Sequence, residues 1–227
     1  MEKKDYIHKE YPKTCDPNDF FGQVKRTVNG QPISEEEIEL IVNTISQKLS
    51  LNSEDFLFDL GCGNAALSSL LFNSIEGYIG IDFSEYLVEV AKQNFEKIGY
   101  KIILAEAIEY LRSIDVNERV TKILCYGVFS YFNADEANII LKQIKSKFPN
   151  ATRVLIGNIP DKERAHNFYY DNIDYKNLLN DNKTNIGKWW SVNEFKEMAE
   201  SNNFKFDFYN MPDNFYAAHY RYDVILS

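Results

Sequence analysis

Apolar residues along the chain come as short unbroken runs separated by stripes of helical period. The runs fall at 56–60, 77–81, 101–104, 120–126 and 153–158. Runs of this length without polar alternation read as strands buried on both faces, as in a parallel sheet. Between them the period changes. Ile38, Ile41, Val42, Ile45 and Leu49 form one helical stripe, and Leu87, Val88, Ala91 and Phe95 form another, stopped by Gly99. Further helices are predicted over 65–72, from Asn133 to Lys147, and through Phe195 and Met198. Ser34 with Glu37 and Ser191 with Glu194 have capping-box spacing, and Ser84 stands where a helix cap is wanted. Strand and helix in strict alternation predict an α/β fold. The chain closes on two strand-like segments, 204–209 and 220–226.

Two regions break the alternation. Residues 1–32 are polar and aromatic, punctuated by Pro12, Pro17 and Pro32. With the first helix they make an N-terminal segment, 1–50, that reads as a lid or as a helix packed on the sheet edge. Residues 160–190 are too long for an ordinary connection and read as a small helical insertion. The insertion mixes Arg164 and His166 with Phe168, Tyr169, Tyr170, Trp189 and Trp190. Such aromatics can stack on a ligand face or simply pack the insertion onto the sheet.

The first apolar run carries the chemistry. Phe56-Leu57-Phe58-Asp59-Leu60 leads straight into Gly61-Cys62-Gly63-Asn64. Glycines at a strand-to-helix turn let a ligand lie against the backbone. The second run ends in Asp82, 19 residues after Gly63, the spacing at which a carboxylate meets the hydroxyls of an adenosine ribose. Through Ala66 the loop also fits Gly-x-Gly-x-x-Ala, so a nicotinamide dehydrogenase is the competing reading. Asp59 opposes it: a carboxylate beside the loop repels a pyrophosphate but suits an ammonium or sulfonium.

Asp59-Leu60-Gly61-Cys62-Gly63 and Gly80-Ile81-Asp82-Phe83-Ser84 together resemble the first two motifs of class I S-adenosylmethionine-dependent methyltransferases. The resemblance implies a Rossmann-like seven-stranded sheet, mostly parallel, with helices on both faces and an antiparallel C-terminal hairpin. It implies S-adenosylmethionine as methyl donor, S-adenosylhomocysteine as product, and a small-molecule acceptor. Its expected cofactor contacts are Asp59, Gly61, Cys62, Gly63, Asn64, Asp82, Phe83, Ser84, Glu106, Ala107 and Tyr126. Gln23 and Arg26 join them from the N-terminal segment. Residues 23–30 are similar to a segment of small methyltransferases from bacterial surface-polysaccharide clusters, so a sugar, nucleotide-sugar or phosphorylated precursor is the expected acceptor. Lys25, Arg164, Tyr169 and Arg221 are the candidate acceptor contacts. His166, Tyr131 and His219 are the candidate catalytic groups. N-methylation and a non-catalytic S-adenosylmethionine-binding role are the other readings.

Composition narrows the partners. The 227 residues suit one well-cored domain. A net charge of −9 opposes a nucleic-acid footprint, which would be basic. Cys15, Cys62 and Cys125 have no metal-ligand spacing, and no metal site is expected. Unpaired thiols, with no signal peptide or membrane-length apolar run, predict a cytoplasmic protein with no membrane partner. A monomer or homodimer is expected, and the sequence does not choose between them.

Overall fold

The structure is a computed structural model that describes residues 6–28, 30–169 and 174–227. Tyr170, counted above among the insertion aromatics, lies outside them. The helix α1 (Phe20–Gln23) and a two-stranded hairpin, β1 (Thr27–Val28) and β2 (Gln31–Pro32), precede the main sheet. That sheet comprises β3 (Phe56–Leu60), β4 (Gly77–Asp82), β5 (Tyr100–Leu104), β6 (Lys122–Tyr126), β7 (Arg153–Pro160), β8 (Phe206–Asn210) and β9 (Arg221–Leu226). Their order is β5-β4-β3-β6-β7-β9-β8, with β9 antiparallel to both neighbours and the pairs from β5 to β7 parallel. The strand order reverses at β3, between β4 and β6. The carboxyl end of β3 is therefore the crevice where open α/β sheets take ligands.

Alternation along the strands splits the core in two. On one face Leu57, Tyr78, Ile102, Leu124 and Ile225 meet α2 (Glu35–Leu49), α3 (Ala66–Ser69) and α4 (Glu85–Phe95). On the other, Phe58, Ile81, Ile123, Ile156 and Val224 meet α5 (Ala107–Ser113), α6 (Ala134–Lys147) and α7 (Val192–Ser201). The stripe Ile38, Ile41, Ile45 and Leu49 is buried as its period predicts. Both expected capping boxes form, and Asn133 with Glu136 makes a third on α6. Each contributes about 1 kcal/mol. Ser84 departs from expectation. It precedes α4, but its hydroxyl donates to the His8 carbonyl (2.6 Å) instead of capping the helix.

Among its described residues the insertion has two short 3-10 turns, Lys162–Asn167 and Lys176–Leu178, whose aromatic rings extend the core on the α2 face of the sheet. Tyr169 stacks on Tyr175 with centroids 4.7 Å apart, and Phe168 and Tyr169 both pack on Trp189, which is fully buried. These rings are spent on packing.

Candidate active site

At the end of β3 the N–H groups of Gly61 and Cys62 both donate to the Ile81 carbonyl at 2.9 Å, which curls the loop back onto β4. Gly61 has φ +76°, and a Cβ there would lie 2.7 Å from the Val128 methyls. Only glycine serves both demands. Asp82, at the end of β4, braces the loop. Its Oδ2 accepts from Gly63 N–H (2.9 Å) and its Oδ1 from Ser84 N–H (2.8 Å). Burial pushes this carboxyl up to about 6, against the pull of those N–H groups and with a further push from Glu106.

Asp59 is 3 % exposed. Its Oδ2 accepts from the Ser68 hydroxyl and from Tyr78 OH (3.0 Å). Burial raises it to about 6; the two donors oppose that, Asp82 adds to it, and Arg26 opposes it. Arg26 reaches the same space from the N-terminal segment. Its guanidinium stands 5.3 Å from the centre of the Tyr126 ring. Its Nε and Nη1 are out of solvent contact and meet no hydrogen-bond partner among the described residues. Burial lowers its pKa, offset by Tyr126, Tyr216 and Asp59. A buried cation with two unused donors beside a half-satisfied carboxylate is a pair of complementary charges waiting for a zwitterion.

Two cavities meet here. A slot of about 60 Å³ is walled by Phe83, Glu106, Ala107, Val128 and Phe132. A larger cavity of about 240 Å³ is lined by Asp59, Cys62, Asn64, Arg26 and Tyr126, and also by Asn158, Tyr216 and Arg221. His8, Gly61, Asp82, Val128 and Tyr131 border both. The N-terminal segment is latched over them. Asn64 Nδ2 donates to the Phe20 carbonyl (2.7 Å) and to Gln23 Oε1 (3.0 Å), while Gln23 Nε2 donates to the Asp16 and Pro17 carbonyls.

Thus the expected cofactor residues come together. Gln23 borders the larger cavity but spends its amide on the latch, and Ser84 spends its hydroxyl on His8. Lys25 and Arg221 also line the larger cavity. Arg164 does not. Its Nε pairs with Asp161 (2.7 Å), and its two terminal nitrogens donate to the Ala218 and Arg221 carbonyls (2.9 and 2.6 Å). It fastens the insertion to the hairpin. Tyr169 packs on Tyr175 and Trp189 and borders neither cavity. His166 and His219 are exposed and border neither cavity. Tyr131 borders both and donates its hydroxyl to the Asn185 carbonyl (2.9 Å). His8, Asn158 and Tyr216 are residues the sequence did not single out; Asn158 ends the expected fifth strand, and that position was its one signal. Among the described residues no group of three His, Cys, Asp or Glu side chains could hold a metal ion, and no helix is long and apolar enough to cross a membrane.

Residues 51–203 match the model of a family described as a methyltransferase domain. The chain belongs to that methyltransferase family. It is an enzyme that uses S-adenosylmethionine, and the nicotinamide reading falls away. Over 92 residues it is 33% identical to a probable cobalt-precorrin-6B C(15)-methyltransferase (decarboxylating) of Methanocaldococcus jannaschii, a match covering 39% of this chain and 49% of that one. The chain thus spans about half the length of that curated relative. Among solved structures, magnesium protoporphyrin IX methyltransferase from Synechocystis PCC 6803, with bound S-adenosylmethionine, superposes with a TM-score of 0.63 at 15% identity, covering 100% of this chain and 97% of that one. The methyltransferase domain of bacterial CtHen1 gives a TM-score of 0.57 at 18% identity, covering 85% of this chain and 98% of that one. At these identities the two structures speak for the fold.

Proposed function

We propose that this methyltransferase acts on an oxygen of a small polar acceptor: a sugar, nucleotide-sugar or phosphorylated precursor used in making capsular or surface polysaccharide. The observation that carries the reading is the charge on the larger cavity. Lys25, Arg26 and Arg221 border it from two distant segments, together with Asp59 and Asp82. A cofactor with one carboxylate uses one of these cations, and an anionic acceptor accounts for the rest. The resemblance of residues 23–30 to surface-polysaccharide methyltransferases supports the same class.

In this reading Asp59 holds the cofactor's ammonium and Arg26 its carboxylate. Asp82 takes the ribose hydroxyls, and Glu106 and Ala107 meet the adenine edge beside Phe83. Tyr126 and Tyr131 flank the reactive end. S-adenosylmethionine supplies an electrophilic methyl carbon on a sulfonium; the protein supplies position and charge. The relatives named for tetrapyrrole substrates suggest a different acceptor, one that also carries carboxylates; against it stands size, since a cavity of about 240 Å³ is small for a macrocycle.

The test is a methyl-transfer assay across UDP-glucose, UDP-glucuronate, glucose 6-phosphate, catechol and tRNA. Turnover on a phosphorylated sugar that collapses in Arg221→Ala, with S-adenosylhomocysteine affinity intact, is the expected result. Turnover confined to catechol or tRNA would refute it.

A further inference from the structure

We propose that Asn158 orients the methyl-accepting group, its side-chain oxygen receiving the hydrogen of an O–H or N–H nucleophile held in the larger cavity. The proposal deepens the methyl-transfer reading above and rests on it.

Asn158 sits where the pairing of β7 with β9 slips, between Ile156 and Ile159. A bulge re-aims a side chain out of the regular strand alternation. Its backbone is left-handed, φ 63°. Few non-glycine residues adopt that conformation unless the surroundings impose it. Here they do. Its N–H donates to Asp223 Oδ1 (2.7 Å), and its carbonyl accepts from Arg221 Nη1. Both clamps come from β9. Asp223 is 2 % exposed, a costly place for a carboxyl whose visible use is to hold one backbone amide.

The clamp fixes an amide with something left to do. Asn158 Oδ1 is buried and meets no hydrogen-bond partner among the described residues. An unpaired buried oxygen is expensive and asks for a donor. The side chain lies beside Gly127, where an added Cβ would come 3.5 Å from Nδ2. Gly127 directly follows Tyr126, so the amide belongs to the wall that carries the cofactor's expected reactive end, and it borders the same cavity as Asp59.

The chemistry of that oxygen narrows the acceptor. An amide oxygen only accepts hydrogen bonds. A bare carboxylate or phosphate oxygen has no hydrogen to give it, so the methylated atom is a hydroxyl or amine. Any acid on the acceptor lies elsewhere, towards Lys25 or Arg221. Holding the X–H bond against Oδ1 turns a lone pair of X towards the methyl carbon. As X bonds to that carbon, the sulfur keeps the electron pair of the broken bond, and the X–H proton passes to water. Asn158 steers this step without acting as a base. Asp223 and Arg221 act through it as positioning residues.

The test combines a crystal structure of the S-adenosylhomocysteine complex with the variant Asn158→Gly. Glycine accepts the left-handed backbone without strain, so the bulge is kept. In the parent complex an ordered water should sit about 2.7–3.1 Å from Oδ1, on the side facing the sulfur. Asn158→Gly should bind S-adenosylhomocysteine as the parent does. Its kcat on the best acceptor of the panel should fall on the order of 10–100-fold. Oδ1 paired with a protein donor, Oδ1 turned away from the sulfur, or parental turnover in Asn158→Gly would each overturn the proposal. A parent that takes no S-adenosylhomocysteine would instead break the methyl-transfer reading itself, and this proposal with it.

Discussion

The wall that carries Asp59 and Asp82 is made by two adjacent strands ending at the same sheet edge. The wall that carries Asn158 and Arg221 is made by a bulge clamped from a strand about 65 residues further along the chain. In the first wall the backbone turns sharply and the side chains are committed to one another: Asp82 holds Gly63, and Ser68 and Tyr78 hold Asp59. In the second, the backbone of Asn158 is held firmly while its side-chain oxygen is left without a partner among the described residues. The difference teaches what each wall is for in the proposed reading: a cofactor common to many enzymes meets a prebuilt, braced edge, and a particular acceptor meets an atom whose partner has yet to arrive.

Arg26 tests the first wall hardest, because it reaches it from the N-terminal segment. Arg26→Met should weaken S-adenosylhomocysteine by about 2–5 kcal/mol, the cost of leaving a buried carboxylate without its cation. The same change should leave ligand-free thermal stability equal or higher, because it removes a desolvated guanidinium with two unused donors. Calorimetry and thermal unfolding read the two signs separately. Unchanged affinity would move Arg26 to the acceptor wall.

Asp82→Ala comes next, at about 1–3 kcal/mol of cofactor affinity. An unchanged dissociation constant in a folded variant would reduce Asp82 to a brace for Gly63. The same carboxyls carry a pH signature. Asp59 and Asp82 both stand at about 6 in the ligand-free protein. In the proposed reading they hold an ammonium and ribose hydroxyls as carboxylates, so protons compete with the ligand below that value. Affinity should fall as pH drops from about 7 to 5, by up to about tenfold per unit for each carboxyl. Ligand-free stability should move the other way. A carboxyl raised above its unfolded value of about 3.9 binds protons better in the folded state, so its contribution declines as pH rises from about 4 to 6. Affinity flat across this range would show that neither carboxyl binds as its anion.

The smallest effects belong to residues outside both walls. His166→Ala and His219→Ala should leave kcat within about twofold, in line with exposed substitutions away from a site. A loss on the order of a hundredfold in either would mean that the acceptor reaches beyond the larger cavity.

The same division governs what could be read in the sequence. Asp59, Gly61, Gly63 and Asp82 lie in two short stretches whose apolar runs and glycines fix strand, turn and side-chain direction locally, so their assembly was legible. The strand order followed from the resemblance those stretches carry. Asn158 was not legible as a site residue, because its direction depends on a slip against β9 that no local pattern records. Arg164 misled for the same reason: its three partners lie at Asp161 and in the 218–221 backbone, and only the folded loop uses up its donors. His8 lies 76 residues from the serine whose hydroxyl donates to its carbonyl, beyond the reach of any motif.

That last contact has a consequence for assembly. The segment from Tyr6 to Gln23 leaves the ribosome before any strand of the main sheet, yet its anchors, Asn64 and Ser84, emerge 41 to 76 residues later. It cannot settle until β3 and β4 are made and paired. The segment therefore docks only after β3 and β4 have paired, and that end of the crevice stays open to solvent until then.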